Sequence, residues 1–531
     1  MSYNFHKHFP FEKEREIQTR VLDHLSETWE DNNIKLLNLP TGVGKSCIAI
    51  AVSHALKGKT IISTPQKILQ DQYMKDFGNN LLLNIREMKG RNNFQCITDP
   101  NSTCADGPGA IKPEYCPDCP YIDAKKAAEK AKVVIMNFAY YMTTSFNHSF
   151  NDRPTLIIDE AHSLPEHIIA FAEFRITDIA LQRLFDNKEI RVPELDSLKR
   201  YEEWMKDVYD TLSLKCKKIE KLFKDFDIDA NDKNTDNKII REMIRDFERY
   251  NSFMSKINRY FESKDYVEWV WSFEEVYSKK NKENAFILKP LTVDRFAKEL
   301  IFDRHEKIIL MSATLLEKKQ FCSSLGISQD EAEWIEAESP FPTSNHKFLM
   351  HPIGSLNAKE INDTLPKLIP ALKLILASHE GQKGIIHCGS FKIANYIRDN
   401  LKDKRLLIQE SGQANSEIYT LHKELKHDTV IVSPSMAEGI DLIGDLGQFQ
   451  IIVKLPFMNL GDKWTRIRAE RFPDWYLFKC VLQFVQAMGR TQRTAKDKVT
   501  TYVLDQSFNF FMKVKGKNML PTHIKKICGI K

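Results

Sequence analysis

From Ile34 to Leu56 the chain has almost no freedom in what it can become. An apolar, β-branched run from Ile34 to Leu39 leads directly into Pro40-Thr41-Gly42-Val43-Gly44-Lys45-Ser46 and then into the apolar helical stretch Cys47 to Leu56. A strand that turns through glycines into a helix leaves unpaired backbone amides at the helix N-terminus, where an anion is stabilised. The glycines let those amides close around phosphates, Lys45 neutralises the β and γ groups, and Ser46 offers a hydroxyl to magnesium. Leu39 stands where a strict G-x-x-x-x-G-K-[ST] pattern has its first glycine, so the flanking strand and helix carry the assignment.

The rest of the chain repeats the strand half of this pattern. Short apolar runs recur at Thr60 to Ser63, Lys132 to Met136, Thr155 to Ile158 and Lys307 to Met311, and again at Gly384 to His387, Thr429 to Val432, Gln450 to Val453 and Thr500 to Leu504. Continuous apolar runs separated by helical stretches are the mark of parallel strands buried on both faces, which predicts an α/β fold with two such domains. Between them, Ile240, Met243, Ile244, Phe247, Tyr250, Met254, Ile257 and Phe261 recur at three- and four-residue steps. That spacing predicts an amphipathic helix whose apolar face is core. Its antiparallel partner runs through Leu212, Ile219, Leu222 and Phe223, with Asp227 to Asn237 as the turn. With 531 residues, and about 150 per domain as a guide, three or four units are expected. The net charge of +5 is too small to name a partner. No run approaches the roughly 18 to 20 apolar residues of a membrane span, and the polar start lacks a signal-peptide core, so a cytoplasmic, reducing setting with no membrane partner is expected.

Three further motifs belong with the phosphate loop. Leu156-Ile157-Ile158 runs into Asp159-Glu160-Ala161-His162, setting two carboxylates at the C-terminal end of a strand, where α/β sheets bind ligands. Asp159 can hold magnesium and Glu160 can orient or deprotonate an attacking water. Ser312-Ala313-Thr314 ends another strand, and its hydroxyls could couple the nucleotide site to the second domain. Gln486-Ala487-Met488-Gly489-Arg490-Thr491-Gln492-Arg493 carries two arginines three residues apart, suited to facing one way and stabilising charge on a transferring phosphoryl group.

In this order along one chain, the motifs resemble those of superfamily 2 helicases with a DEAH-type box, and within them the XPD/DinG family of DNA helicases. Arg15 and Gln18 match the family's adenine-side entry segment, Ser63-Thr64-Pro65-Gln66 and Ser433 to Asp441 match further stations, and the likeness covers nearly the whole chain. It implies two RecA-like P-loop motor domains, parallel sheets flanked by helices, with two insertions in the first. The expected division assigns residues 1–90, 125–175 and 285–335 to motor domain 1, 91–124 to a cysteine-rich insertion, 176–284 to a helical arch and 336–531 to motor domain 2. Lys45, Asp159, Glu160, Gln486, Arg490 and Arg493 form the expected hydrolytic set, and Arg15, Gln18, Thr41 to Ser46, Gly439 and Asp441 the expected nucleotide contacts.

Cys96, Cys104, Cys116 and Cys119, four of the 10 cysteines, follow a C-x7-C-x11-C-x2-C spacing on a segment rich in Asn, Asp, Gly and Pro. Such a segment has little means of packing itself, and a metal centre is the natural explanation. By spacing alone the set suits a tetrahedral zinc site, and four thiolates equally suit an iron–sulfur cluster. The resemblance favours a 4Fe-4S cluster, with zinc as the alternative. It further implies ATP and magnesium as cofactors, a monomer acting on single-stranded and forked duplex DNA, and 5′ to 3′ translocation. Competing readings are a nucleic-acid translocase that remodels complexes without separating strands, and a nucleotide-gated DNA-binding switch. Candidates for strand contact are Thr64, Lys67, Asn137, Phe138, Tyr140, Tyr141, Trp475 and Tyr476.

Overall fold

A computed structural model describes residues 3–110, 116–146, 149–225, 237–278, 281–435, 442–492, 494–513 and 516–530. In chain order the strands are β1 (Ile34–Asn38), β2 (Thr60–Thr64), β3 (Ile85–Met88), β4 (Val133–Asn137), β5 (Thr155–Asp159), β6 (Phe174–Thr177), β7 (Trp269–Ser278), β8 (Asn281–Pro290), β9 (Lys307–Ser312) and β10 (Ala332–Glu336). They continue as β11 (His346–Gly354), β12 (Gly384–His387), β13 (Leu406–Ile408), β14 (Val430–Ser433), β15 (Phe449–Ile452) and β16 (Val499–Asp505). All nine runs read from the sequence are strands, distributed over two parallel sheets of order β10-β1-β9-β5-β2-β4-β3 and β11-β16-β15-β12-β14-β13.

The first sheet is buried on both faces, and its side chains sort by the two-residue pleat. Ile34, Leu36, Val134, Met136, Leu156, Ile158, Ile308 and Leu310 enter one core, while Leu37, Val133, Ile135, Ile157, Ile309 and Met311 enter the other. Helices on each face are what make both cores possible, and this is why the strands read as unbroken apolar runs. The register matters for function: β9 lies between β1 and β5, aligning Ser312 with Asn38 and Met311 with Asp159. The ends of three strands widely separated in sequence therefore meet at one edge.

The segment between the two parallel-sheet domains is not wholly helical. The expected helices exist as Leu198–Asp225 and Asn237–Ser263, and their apolar faces form one core with Tyr201, Leu212, Tyr250, Met254 and Ile257 buried. Most of the turn expected between them, residues 226–236, lies outside the described residues. Beneath the helices is an antiparallel sheet of order β6-β8-β7, where a helical reading had left no strands. Trp269, Trp271 and Phe273 alternate along β7 and pack on the helical core, with Trp271 opposite Leu288 and Phe273 opposite Phe286. Two ion pairs join this unit to the cysteine-rich segment: Arg245 with Asp106, at 2.7 Å from Nε, and Arg241 with Asp99 at 3.5 Å.

The domain of the second parallel sheet touches that of the first through polar contacts. Lys479 pairs with Glu166 at 2.6 Å, and the Trp464 indole donates to the Pro290 carbonyl at 2.9 Å. No helix among the described residues is long and apolar enough to cross a membrane.

Burial lowers the pKa of His346 to about 4, and that of His387 likewise to about 4, from an ordinary 6.5. The unfolded chain therefore takes up these protons first, so their contribution to stability is complete above about pH 6.5 and is lost as pH falls toward 4. Urea unfolding midpoints should fall progressively below pH 6.5, and a His346→Gln variant should show a shallower fall.

Candidate nucleotide site and cysteine cluster

The phosphate loop hangs between β1 and the helix Lys45–Ala55. Gly42 and Gly44 adopt φ of 79° and 81°, a conformation that costs other residues roughly 1–2 kcal/mol. Val43, between them, is 1% exposed and fixes the loop to the core. Two side chains from the N-terminal segment hold the loop from outside: Arg15 donates to the Gly42 carbonyl, and Gln18 donates to the Gly44 carbonyl at 3.4 Å. Arg15 and Gln18, expected near an adenine, are thus set against the phosphate loop itself.

Across the sheet edge, β5 ends at Asp159, which is 7% exposed. Burial, with the neighbouring Glu160 charge, raises its pKa to about 6. Glu160 follows in the left-handed region at φ 51°. Burial alone would raise its pKa, but Lys45 and hydrogen bonds from His162 and Ser312 outweigh this and hold the carboxyl well below the usual range. Glu160 is therefore an ionised carboxylate facing a cation, with Lys45 Nζ 3.7 Å from Oε1.

From Glu160 a hydrogen-bonded chain runs into the second motor. Ser312 Oγ donates to Glu160 Oε2 at 3.2 Å, and His162 Nδ1 lies 2.7 Å from the same Oγ. His162 Nε2 meets the Gln486 side-chain amide at 2.8 Å. With that amide donating, the imidazole proton sits on Nδ1, facing Ser312 and Glu160. Gln486 lies in the helix Pro473–Met488, and it, Arg490, Thr41, Lys45, Glu160 and Thr314 all line one cleft of about 550 Å³. Arg493, Gly439 and Asp441 lie outside the described residues.

The cysteines gather at a second place. Cys96, Cys104, Cys116 and Cys119 are each no more than 5% exposed, and none is in a disulfide. Cys119 Sγ lies 3.7 Å from Cys104 Sγ. Burial raises the Cys104 thiol to about 11 and the Cys116 thiol to about 12. The backbone closes directly on the cysteine side chains: a Cβ on Gly107 would lie 2.6 Å from Cys96 Sγ, and one on Gly109 would lie 2.8 Å from Cys116 Cβ. Among the described residues, no group of three or more His, Cys, Asp or Glu side chains is drawn close enough to hold a metal ion as it stands. The four buried thiols, none in a disulfide and set around a loop too tight for side chains, are chemically the donors of a thiolate-ligated centre, with Cys104 and Cys119 already in contact.

With this geometry in place, comparison with known proteins becomes specific. Residues 374–526 match the family described as Helicase C-terminal domain, and residues 11–189 match the family described as Type III restriction enzyme, res subunit. ATP-dependent DNA helicase YoaA of Escherichia coli is 24% identical across 94% of this chain and 92% of its own length. ATP-dependent DNA helicase DinG of Photobacterium profundum is 28% identical over 43% of this chain and 36% of its own length. A solved structure titled XPD helicase superposes with a TM-score of 0.69 at 15% identity, covering 98% of this chain and 99% of that one. The chain is thus similar to XPD/DinG-type superfamily 2 helicases in its two helicase-related regions, in relatives spanning nearly its whole length and in its fold. Its two parallel sheets are accordingly the two RecA-like domains of that fold.

Within this helicase fold the residues expected to touch a strand do not stand alike. Phe138, Tyr141 and Trp475 are buried in the first core, and the Tyr141 hydroxyl donates to the Leu300 carbonyl at 2.8 Å. They are packing residues and not stacking platforms. Tyr140 is half-buried against Tyr121, Thr64 is buried, and Tyr476 donates to the Met458 carbonyl at 2.9 Å. Lys67 reaches Asn93 at 2.7 Å at an exposed position. Two site residues carried no sequence signal. Tyr73 donates to Asp159 Oδ2 at 3.0 Å, and Asn38 accepts from the Leu315 amide at 3.2 Å, tying the end of β1 to the turn after β9.

A Cβ at Gly44 would stand 2.4 Å from Gln18 Nε2 at a φ of +81°. Gly44→Ala should therefore lower stability by about 1–2 kcal/mol and weaken nucleotide binding, measured by thermal unfolding and by titration of a fluorescent ATP analogue.

Proposed function

We propose that the chain is an ATP-dependent DNA helicase that moves 5′ to 3′ along single-stranded DNA, as a monomer, and separates forked duplex. The observation that carries the reading is the chain of contacts from Lys45, ion-paired with Glu160, through the hydrogen bonds of Glu160 and His162 to Gln486, because it makes the hydrolytic carboxylate answer to the position of the second motor. Two relatives that match the chain are named ATP-dependent DNA helicases.

In this reading the loop amides and Lys45 bind the β- and γ-phosphates of ATP, and Ser46 and Asp159 hold magnesium. Magnesium supplies charge neutralisation on the phosphate oxygens when bound. Glu160, kept ionised by Lys45, His162 and Ser312, orients the attacking water and takes its proton. Gln486 and Arg490 approach from the second motor, and Arg493 shares their charge-stabilising role, so that domain closure completes the site and hydrolysis reopens it. Different affinities of the open and closed states for DNA turn that cycle into movement. Gly439 and Asp441 belong to the same nucleotide contact set, and Arg15 and Gln18 support its loop.

Cys96, Cys104, Cys116 and Cys119 would hold a 4Fe-4S cluster, with a zinc ion as the alternative. Either centre supplies the loop with an interior that its own side chains do not provide. Cytoplasmic action on DNA is in keeping with this reading.

Glu160→Gln should bind ATP with near-normal affinity while turnover falls by about 10²–10⁴-fold; near-normal hydrolysis would remove Glu160 from the base role. Unwinding of substrates with a 5′ overhang, a 3′ overhang or an RNA tail tests substrate and direction together. Preference for the 3′ overhang would reverse the polarity, and translocation without strand separation would favour a remodelling enzyme. Protein purified without oxygen should be brown and contain iron and sulfide, and Cys116→Ser should lose both. A colourless wild type containing zinc would replace the cluster by the single ion.

A further inference from the structure

The Asp159 carboxylate is gripped by two donors, and one of them comes from outside every motif. The Glu160 amide donates to Oδ1 at 2.9 Å, and the Tyr73 hydroxyl donates to Oδ2 at 3.0 Å. An ionised carboxylate offers about four lone-pair sites, so two remain for a ligand once these bonds are made. The phenol has one proton, and it is committed to Asp159. Both residues are buried, Tyr73 at 3% and Asp159 at 7% exposure, so water is not at hand to replace the bond.

Tyr73 is itself held in place. It lies on the helix Lys67–Phe77 with its ring tilted against Phe77 at 6.0 Å between centroids. Three residues earlier, on the same helical face, Gln70 donates to the Met88 and Ile135 carbonyls at 3.1 and 3.2 Å and accepts from Asn137 at 3.3 Å. The helix is thereby pinned across β3 and β4, and the hydroxyl it presents has a fixed place relative to the end of β5.

We infer that Tyr73 is a positioning residue of the magnesium site, its hydroxyl setting the orientation in which Asp159 meets the ion. The inference rests on the assignment of Asp159 to magnesium made above. Removing the hydroxyl leaves Oδ2 without its donor and lets the carboxylate turn about its Cβ–Cγ bond. Donors that fix a metal ligand from behind typically carry a tenfold to hundredfold effect on metal affinity. Tyr73 touches neither phosphate nor water in this account, and its effect is confined to steps that need the ion.

The test is a magnesium titration of fluorescent ATP-analogue binding, read as the midpoint in wild type, Tyr73→Phe and Asp159→Asn, with the same binding repeated in EDTA. Tyr73→Phe should raise the magnesium midpoint about tenfold or more and leave binding in EDTA unchanged. The midpoint reports only folded protein, so partial unfolding lowers the amplitude without moving it. Manganese binding followed by electron paramagnetic resonance should show the same shift in the absence of any turnover. If Asp159→Asn moves the midpoint and Tyr73→Phe does not, the role of Tyr73 is overturned. An equal loss of binding in EDTA would overturn it too, by showing general distortion of the site. If Asp159→Asn leaves the midpoint unmoved, the assignment of Asp159 fails first and that of Tyr73 falls with it.

Discussion

A carboxylate that must stay ionised at a buried sheet edge is the constraint around which the nucleotide site is organised. Removing Glu160 from water penalises its charge, and the penalty is met by Lys45 at 3.7 Å together with hydrogen bonds from Ser312 and His162. Each partner has a different origin in the chain: the phosphate loop after β1, the end of β9 and the 3₁₀ turn after β5. Only a sheet with β9 inserted between β1 and β5 brings them together, so the strand order is itself part of the electrostatics. The left-handed backbone of Glu160 at φ 51° adds a local strain of the kind that packed surroundings sustain at functional sites. The Gln486 amide then extends the network into the second motor, where a shift of one helix would be felt at the carboxylate.

What the sequence revealed follows from where burial was complete. Central strands such as β4 and β5, buried at all five positions, read plainly as apolar runs. Those that went unread lie at sheet edges, where one side meets solvent: β3, β10 and β11 mix buried and exposed positions, and β13 is half-buried throughout. In the insertion, the strong helical period from Ile240 to Phe261 overshadowed the alternation of Trp269, Trp271 and Phe273 that marks β7. The site divides in the same way. Lys45, Glu160 and Gln486 were legible because their motifs have recognisable spacing, and they meet in one cleft. Tyr73 and Asn38 were not legible, because a tyrosine on a helix and an asparagine at a strand end acquire meaning only from what lies opposite. Phe138, Tyr141 and Trp475 mark the converse limit: an aromatic beside a motif reads alike whether it faces solvent or core.

The position of β9 also sets a timetable. Strand β1 pairs only with β9 and β10, which begin at Lys307 and Ala332, whereas β2, β3, β4 and β5 can pair among themselves much earlier in synthesis. On a ribosome making roughly 5–20 residues per second, the strand carrying the phosphate loop therefore emerges first and waits for nearly the whole first motor before it acquires a neighbour in the sheet. During that wait the cysteine-rich segment and the helical insertion are made and exposed, and the core of the helical insertion can form without it. Closure of the nucleotide site is thus a late event by construction. A nascent chain stalled before Lys307 would carry its phosphate-loop sequence without the strand that holds it.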